Sequence, residues 1–280
     1  MSLATLGIAA ALLSALLQAV AHALLKSGED KLAVRGAIGL TSAVLLLPVV
    51  AFVVAPPSPA LVSWLMLSNV VHAIYQLVLI EAYENEDFVV AYPVARGVAP
   101  IATLILGIVL LGDEVGALTF VGAACVTVGV LTMATTGNPR RRGMIAAVAA
   151  GLLTTTYTLI DAHAVRLAAE TWTFIAWFFI GDGIVMMAIL IAMRRSRTVA
   201  LLRQEGWRGV AAGVASVATY SAALVALSAI AAGAASALRE TSVIFGLVIG
   251  GRWLKERLGP VRSACAVLVT IGAVLIAVGL

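Results

Sequence analysis

The residue in this 280-residue chain that most demands a chemical reason is Arg96. It sits inside residues 87–116, a stretch apolar enough to cross a bilayer, among the helix-weakening Pro93, Gly97 and Pro100. An arginine in hydrocarbon costs at least about 2.5 kcal/mol even on insertion scales, so it marks a functional site unless a partner explains it. The functional reading is that Arg96 holds a carboxylate or phosphate of a ligand, or latches a gate. The structural alternative is an arginine paired with an acid such as Glu81, or with carbonyls that the prolines release. Tyr92 lies one turn earlier on the same helical face. The construction recurs in residues 231–259. Adding 143, the difference between 239 and 96, carries Arg96 onto Arg239. The same shift carries Gly107 onto Gly250, Asp113 onto Glu256, Gly116 onto Gly259 and Gly129 onto Gly272. Helical periodicity alone does not align an arginine, an acid and three glycines, so two copies of one unit are expected.

Other polar residues stand in stripes on apolar helices. Asn69, His72 and Gln76 share a face at i, i+3 and i+7, with Tyr75 beside them. Ser14, Gln18 and His22 follow at i, i+4 and i+8. Polar stripes in membrane helices face the bundle interior or water. Asp182 lies in the middle of an apolar run, and an acid there must be neutral or paired, since burial disfavours its charged form. Trp177, five residues earlier, would supply an aromatic wall. Tyr157 and Asp161 share another stripe, with Asp161 read at a solvated helix end. Tyr220 follows Ser216 and Thr219 on a mildly polar face. Glu240 follows Arg239, and neighbours on a helix point about 100° apart, so the two are expected to serve different partners.

The candidate ligand-binding set is therefore His72, Tyr75, Gln76, Tyr92, Arg96, Tyr157, Trp177, Tyr220 and Arg239. His22, Asp182 and Glu240 are candidates for gating or ion coupling. The two arginines are expected at opposite ends of one cavity. Asp113 and Glu256 are read as surface acids that cap a helix or pair with a neighbouring cation.

The elements that position these residues follow from composition. Hydrophobic residues make up 62% of the chain and charged residues 11%, where soluble domains carry about 25% charged residues. Apolar runs of about 20 residues recur from end to end, each long enough to span about 30 Å of hydrocarbon. The expected fold is an all-α polytopic membrane protein with spans near 3–25, 34–54, 60–81, 88–111, 116–135, 143–164, 172–193, 208–230, 233–252 and 260–279. Residues 1–136 form the first five-helix repeat, 137–142 the linker and 143–280 the second. Residues 194–206 are read as the longest polar loop. Cys125 and Cys265 lie in apolar helices and read as packing residues. Glycines and alanines of the fifth and tenth spans read as close helix packing.

Lysine and arginine set the orientation. The loops after spans one, five, seven and nine hold three, three, five and four of them, counting Arg35 with the first. The opposite face holds only Arg166. The positive-inside rule puts those loops in the cytoplasm and both termini outside. Five spans per repeat is an odd number, so the second repeat enters the membrane inverted relative to the first. Inverted repeats are a transporter hallmark, with the ligand site at the repeat interface near the midplane.

With these residues in view, the chain resembles the EamA family of the drug/metabolite transporter superfamily. The resemblance rests on the five-plus-five plan and on residues 92–116 and 236–259, which end in LLGDEVG and WLKERLG. The stretch from Tyr157 to Asp161, YTLID, is similar to one branch of that family. The first span departs from that branch: Gln18, Ala21, His22 and Lys26 stand where it tends to carry His, Trp-Asn and Lys. The resemblance implies export or exchange of small polar metabolites, often amino acids, across a bacterial-type inner membrane.

The function expected is a secondary transporter of amino acids or related metabolites, working by alternating access, with membrane lipid around it. It is either a monomer or a homodimer. No cofactor, metal or nucleic acid is expected. Two alternatives stand: an exporter of lipophilic cations, and a transporter of small phosphate or phosphonate anions. The first is disfavoured because span one lacks a buried glutamate. An enzyme is not expected: His22, His72 and His163 fall on different helices with no ligand spacing, and no GxSxG, HExxH or P-loop pattern is present.

Overall fold

The computed structural model describes residues 2–86, 88–97, 99–134, 140–168, 170–253 and 260–279. Residues 137–139 of the expected linker 137–142, and Lys255, Glu256, Arg257 and Gly259, lie outside them. The described residues form α1 (Leu3–Ser27), α2 (Lys31–Phe52), α3 (Pro59–Asn85), α4 (Phe88–Gly97), α5 (Ala99–Leu111) and α6 (Ala117–Ala134). They continue with α7 (Arg141–Leu167), α8 (Thr171–Arg194), α9 (Thr198–Ala229), α10 (Ala232–Arg239), α11 (Ser242–Trp253) and α12 (Pro260–Gly279).

Helix starts follow local chemistry. Ser2, Asp30 and Ser58 cap α1, α2 and α3 by accepting hydrogen bonds from the backbone N–H of Thr5, Ala33 and Leu61. Pro59 then occupies the first turn of α3, where its missing N–H costs nothing. Among the described residues, six helical stretches are long and apolar enough to cross a membrane, the last of them running through α8 and α9. Their outward faces carry Leu47, Val109 and Ile184, all more than half exposed. That is the surface a lipid-facing helix presents.

One stretch differs from the spans read in the sequence. The expected span 233–252 is interrupted at Glu240 and Thr241, giving α10 and α11. The described residues of the expected span 88–111 fall in α4 and α5, on either side of Val98, which lies outside the described residues.

The expected polar loop at 194–206 is a correction. It is a 3-10 turn, Arg195–Arg197, followed at once by α9. Arg195 takes the left-handed backbone, φ 47°, that reverses the chain. The next turns are helical because Glu205 is satisfied inside the protein. Its carboxylate is fully buried and accepts the N–H groups of Glu29 and Asp30 at 2.9 and 3.3 Å and Arg208 at 3.0 Å. This pins the α1–α2 turn to α9.

α1 packs on α9, α3 on α7, α2 on α8 and α9, and α10 on α5. α6 packs on α12 through glycines. A Cβ on Gly122 would sit 2.6 Å from the carbonyl oxygen of Gly272, and the reverse contact is also 2.6 Å. Backbones this close leave no room for a side chain. Gly122→Leu should therefore destabilise the protein by about 1–3 kcal/mol. Thermal unfolding in detergent reads this; an unchanged midpoint would show that α6 and α12 separate freely.

Candidate functional site

A cavity of about 690 Å³, its open mouth included, lies among α1, α2, α3, α7, α8, α9 and α10. Its wall includes Gln18 and His22, Arg35, the α3 group His72, Tyr75 and Gln76, then Tyr157, Phe178, Phe179, Asp182, Tyr220 and Arg239. The α1 and α3 stripes thus meet one space, joined by Tyr157, Tyr220, Asp182 and Arg239. Tyr92, Arg96, Trp177 and Glu240 do not line it.

Arg96 and Glu240 are buried behind the wall and bound to each other. Arg96 is 1% exposed and Glu240 fully buried. Arg96 Nε donates to Glu240 Oε2 at 3.1 Å, and Nη2 lies 2.9 Å from Oε1. Nη2 also donates to Gln18 Oε1 at 3.3 Å. Arg239 Nη2 donates to the same Gln18 oxygen at 3.3 Å, and its Nε donates to Ser14 at 3.1 Å. The two arginines therefore meet at one amide, which corrects the expectation that they stand at opposite ends of a cavity. Glu81, considered as a partner for Arg96, instead pairs with Arg142 at 2.5 Å.

The interruption at Glu240 and Thr241 explains how two of these charges are held. Arg239 occupies the last turn of α10, where helix dipoles favour a cation. Glu240 precedes the first turn of α11, where they favour an acid. Tyr92 donates to Ser242 Oγ at 2.8 Å, tying α4 to the start of α11. Among the described residues, Arg239 has no carboxylate within ion-pair distance. Its partners are neutral, so its positive charge is available to the cavity.

The second charged feature is Arg35 with Asp182. Asp182 was expected to be neutral or paired, and it is paired: Arg35 Nη2 lies 2.5 Å from Oδ1, both residues being buried. Arg35 is a correction to the loop count. It lies within the second turn of α2 and projects into the cavity, because the helix already begins after the Asp30 cap. Its Nε and Nη1 have no hydrogen-bond partner among the described residues.

The third feature is centred on Asp161, which is fully buried rather than solvated as expected. Its carboxylate accepts from Ser68 Oγ at 2.5 Å and from Tyr220 Oη, and lies 3.0 Å from His72 Nε2. Tyr220 Oη is also 3.1 Å from His72 Nε2. Aromatic rings close around the imidazole: Tyr157 at 4.0 Å, Phe178 at 4.8 Å and Tyr75 at 6.4 Å between centroids.

The other candidates are placed as follows. His22 faces the cavity, with Nδ1 3.0 Å from Tyr83 Oη and its ring 5.3 Å from that of Tyr92. Trp177 points away, its indole N–H donating to the Ala55 carbonyl at 3.3 Å, and Phe178 and Phe179 form the aromatic wall instead. Asn69 turns to the Leu65 carbonyl of its own helix at 2.9 Å. Asp113 accepts Arg166 at 2.7 Å and the N–H of Ala232 at 2.8 Å. It is both capping and paired as expected, but the helix it caps is α10.

Sequence reasoning missed Ser68, Arg35, Phe178 and Phe179 and misplaced Asp161. Two signals were present. Ser68 and His72 are spaced i, i+4, and Tyr157 and Asp161 likewise, so each pair shares a face. Asp30 is a good cap three residues before Ala33, which puts Arg35 inside the helix.

Membrane-length helices around a charged internal cavity define a polytopic helical membrane protein. The chain matches the profile of the EamA-like transporter family over residues 141–278, just under half of its length. No curated protein matches it. Among 28 matching chains of solved structures, one titled only "Crystal structure of protein" shares 15% identity with a TM-score of 0.73. The alignment covers 98% of this chain and 97% of that one. At that identity the likeness is one of fold.

Proposed function

We propose that this protein is a secondary transporter that exports or exchanges amino acids or related small zwitterionic metabolites. In this reading residues 1–136 and 143–280 are inverted five-span units, the cavity lies at their junction, and both termini are outside an inner membrane. The 143-residue register that carries Arg96 onto Arg239 supports the repeat, and the break between α10 and α11 is of the kind that builds transporter sites at the midplane. Alternating access follows from such symmetry, since each unit can adopt the arrangement the other leaves.

The observation that carries the ligand class is the pairing of fixed charges in one cavity. Arg35 and Arg239 supply N–H donors for a carboxylate, and Asp182 supplies an acceptor for an ammonium. Tyr75, Tyr157, Phe178, Phe179 and Tyr220 line the same space, so an apolar or aromatic side chain has a surface to bury on. A second reading, a small phosphate or phosphonate anion, is favoured by the neutral partners of Arg239.

Uptake of labelled neutral amino acids into proteoliposomes tests the proposal. Wild type should show saturable uptake. Arg239→Gln should raise KM about tenfold to a hundredfold, the loss of one charged hydrogen bond. Arg35→Gln should do the same, with partial rescue by Arg35→Lys. If wild type takes up no amino acid and a phosphonate competes for uptake instead, the second reading replaces the first.

A further inference from the structure

We propose that His72 and Asp161 form the binding site for one coupling proton, exchanged against the substrate through the cavity; the exchange rests on the transport reading above. Asp161 is fully buried, yet no arginine or lysine is paired with it among the described residues. Its neighbours are two hydroxyl groups and one imidazole. A buried carboxylate without a fixed cation is costly unless it is protonated or its neighbour is. His72 is the group that can supply that charge. With neutral His72 and ionised Asp161 the pair carries one negative charge, and one added proton makes it neutral.

Access is built in. His72 Nε2 lies 3.0 Å from Asp161 Oδ2 and 3.1 Å from Tyr220 Oη, and both His72 and Tyr220 line the cavity. A proton therefore enters from cavity water at His72 or Tyr220, rests between His72 and Asp161, and leaves by the same groups. Other titratable and charged groups around the cavity are occupied differently. Asp182 of α8 is bound to Arg35 of α2. Arg239 of α10 is bound to Ser14 and Gln18. Arg96 of α4 is bound to Glu240, Tyr92 of α4 to Ser242, and His22 of α1 to Tyr83. Tyr75 and Tyr157 pack against the His72 ring.

Coupling follows from Coulomb's law in a space of low dielectric. The deprotonated pair attracts the ammonium of a zwitterion, and the protonated pair does not. Proton and substrate thus exclude one another, which is the condition for exchange in opposite directions.

Two measurements test this, and the first needs no substrate. In ligand-free protein with isotope-labelled histidine, magnetic resonance follows the titration of the three imidazoles, His22, His72 and His163. Asp161→Asn should move the His72 midpoint by at least about tenfold in proton concentration, as removing an adjacent charge does. An unmoved midpoint overturns the proton site. The second places wild type in proteoliposomes with an acidic interior and labelled neutral amino acids outside. Label should accumulate several-fold above equilibration. Asp161→Asn should not accumulate label above equilibration under the same gradient. Gradient-driven accumulation by Asp161→Asn, or a wild type indifferent to the gradient, overturns the coupling. A moved midpoint with no amino-acid uptake at all would leave the proton site standing and refute the substrate reading.

Discussion

Replacing Glu240 with alanine should destabilise the protein by about 3–5 kcal/mol, the usual consequence of removing one partner of a buried ion pair. Arg96 is 1% exposed. Without Glu240 it would keep one described hydrogen bond, the 3.3 Å contact to the Gln18 amide oxygen. Its Nη1 already lacks a hydrogen-bond partner among the described residues. A guanidinium left so poorly solvated has no inexpensive neutral form, because its pKa lies too high. The structure must open to water or give up the α4–α11 contact. Arg96→Ala should cost a similar amount by stranding the carboxylate. Arg96→Met combined with Glu240→Leu should cost less than the sum of the single changes, since no charge is then abandoned. Thermal unfolding in detergent, followed by tryptophan fluorescence, measures all of these. Additive losses would show that the two side chains do not share an interaction, contrary to the geometry.

The second large effect is expected at Gly233. A Cβ there would lie 2.3 Å from the Cα of Leu104, which is backbone of α5 and cannot rotate aside. Gly233→Leu must therefore push α10 away from α5, at about 1–3 kcal/mol for overpacking. The functional loss should exceed the loss of stability. α10 has eight residues, begins at the Asp113 cap and ends at Arg239, so a push at its start is carried rigidly to the guanidinium. A displacement of about 1 Å is enough to lose a hydrogen bond that is already long. Uptake in proteoliposomes should fall to background for protein that still elutes as a folded species. Wild-type uptake by Gly233→Leu would mean that α10 does not position Arg239 for transport.

Local properties of the chain carried much of this protein. Hydropathy over 20-residue windows is enough to announce membrane helices, because the bilayer imposes one length and one polarity on every span. Ser2, Asp30, Ser58 and Pro59 mark helix starts through hydrogen bonds to residues three positions away. The stripes bearing Gln18 and His22, and His72 and Gln76, pointed to a shared interior, because polar side chains avoid lipid.

Partnership across the bundle was not legible in that way. Arg96 could have met Glu81 fifteen residues away, and it meets Glu240 instead, at a sequence separation of 144. Asp161 looked like a solvated helix end until α3 and α9 brought Ser68, His72 and Tyr220 onto it. Trp177 and Phe178 are adjacent in sequence, and the rotation of α8 sends one to the Ala55 carbonyl and the other to the cavity. A side chain's burial and charge balance depend on what other helices place within about 4 Å of it. One helix contains no record of its neighbours' rotation and height; close packing of all of them sets both.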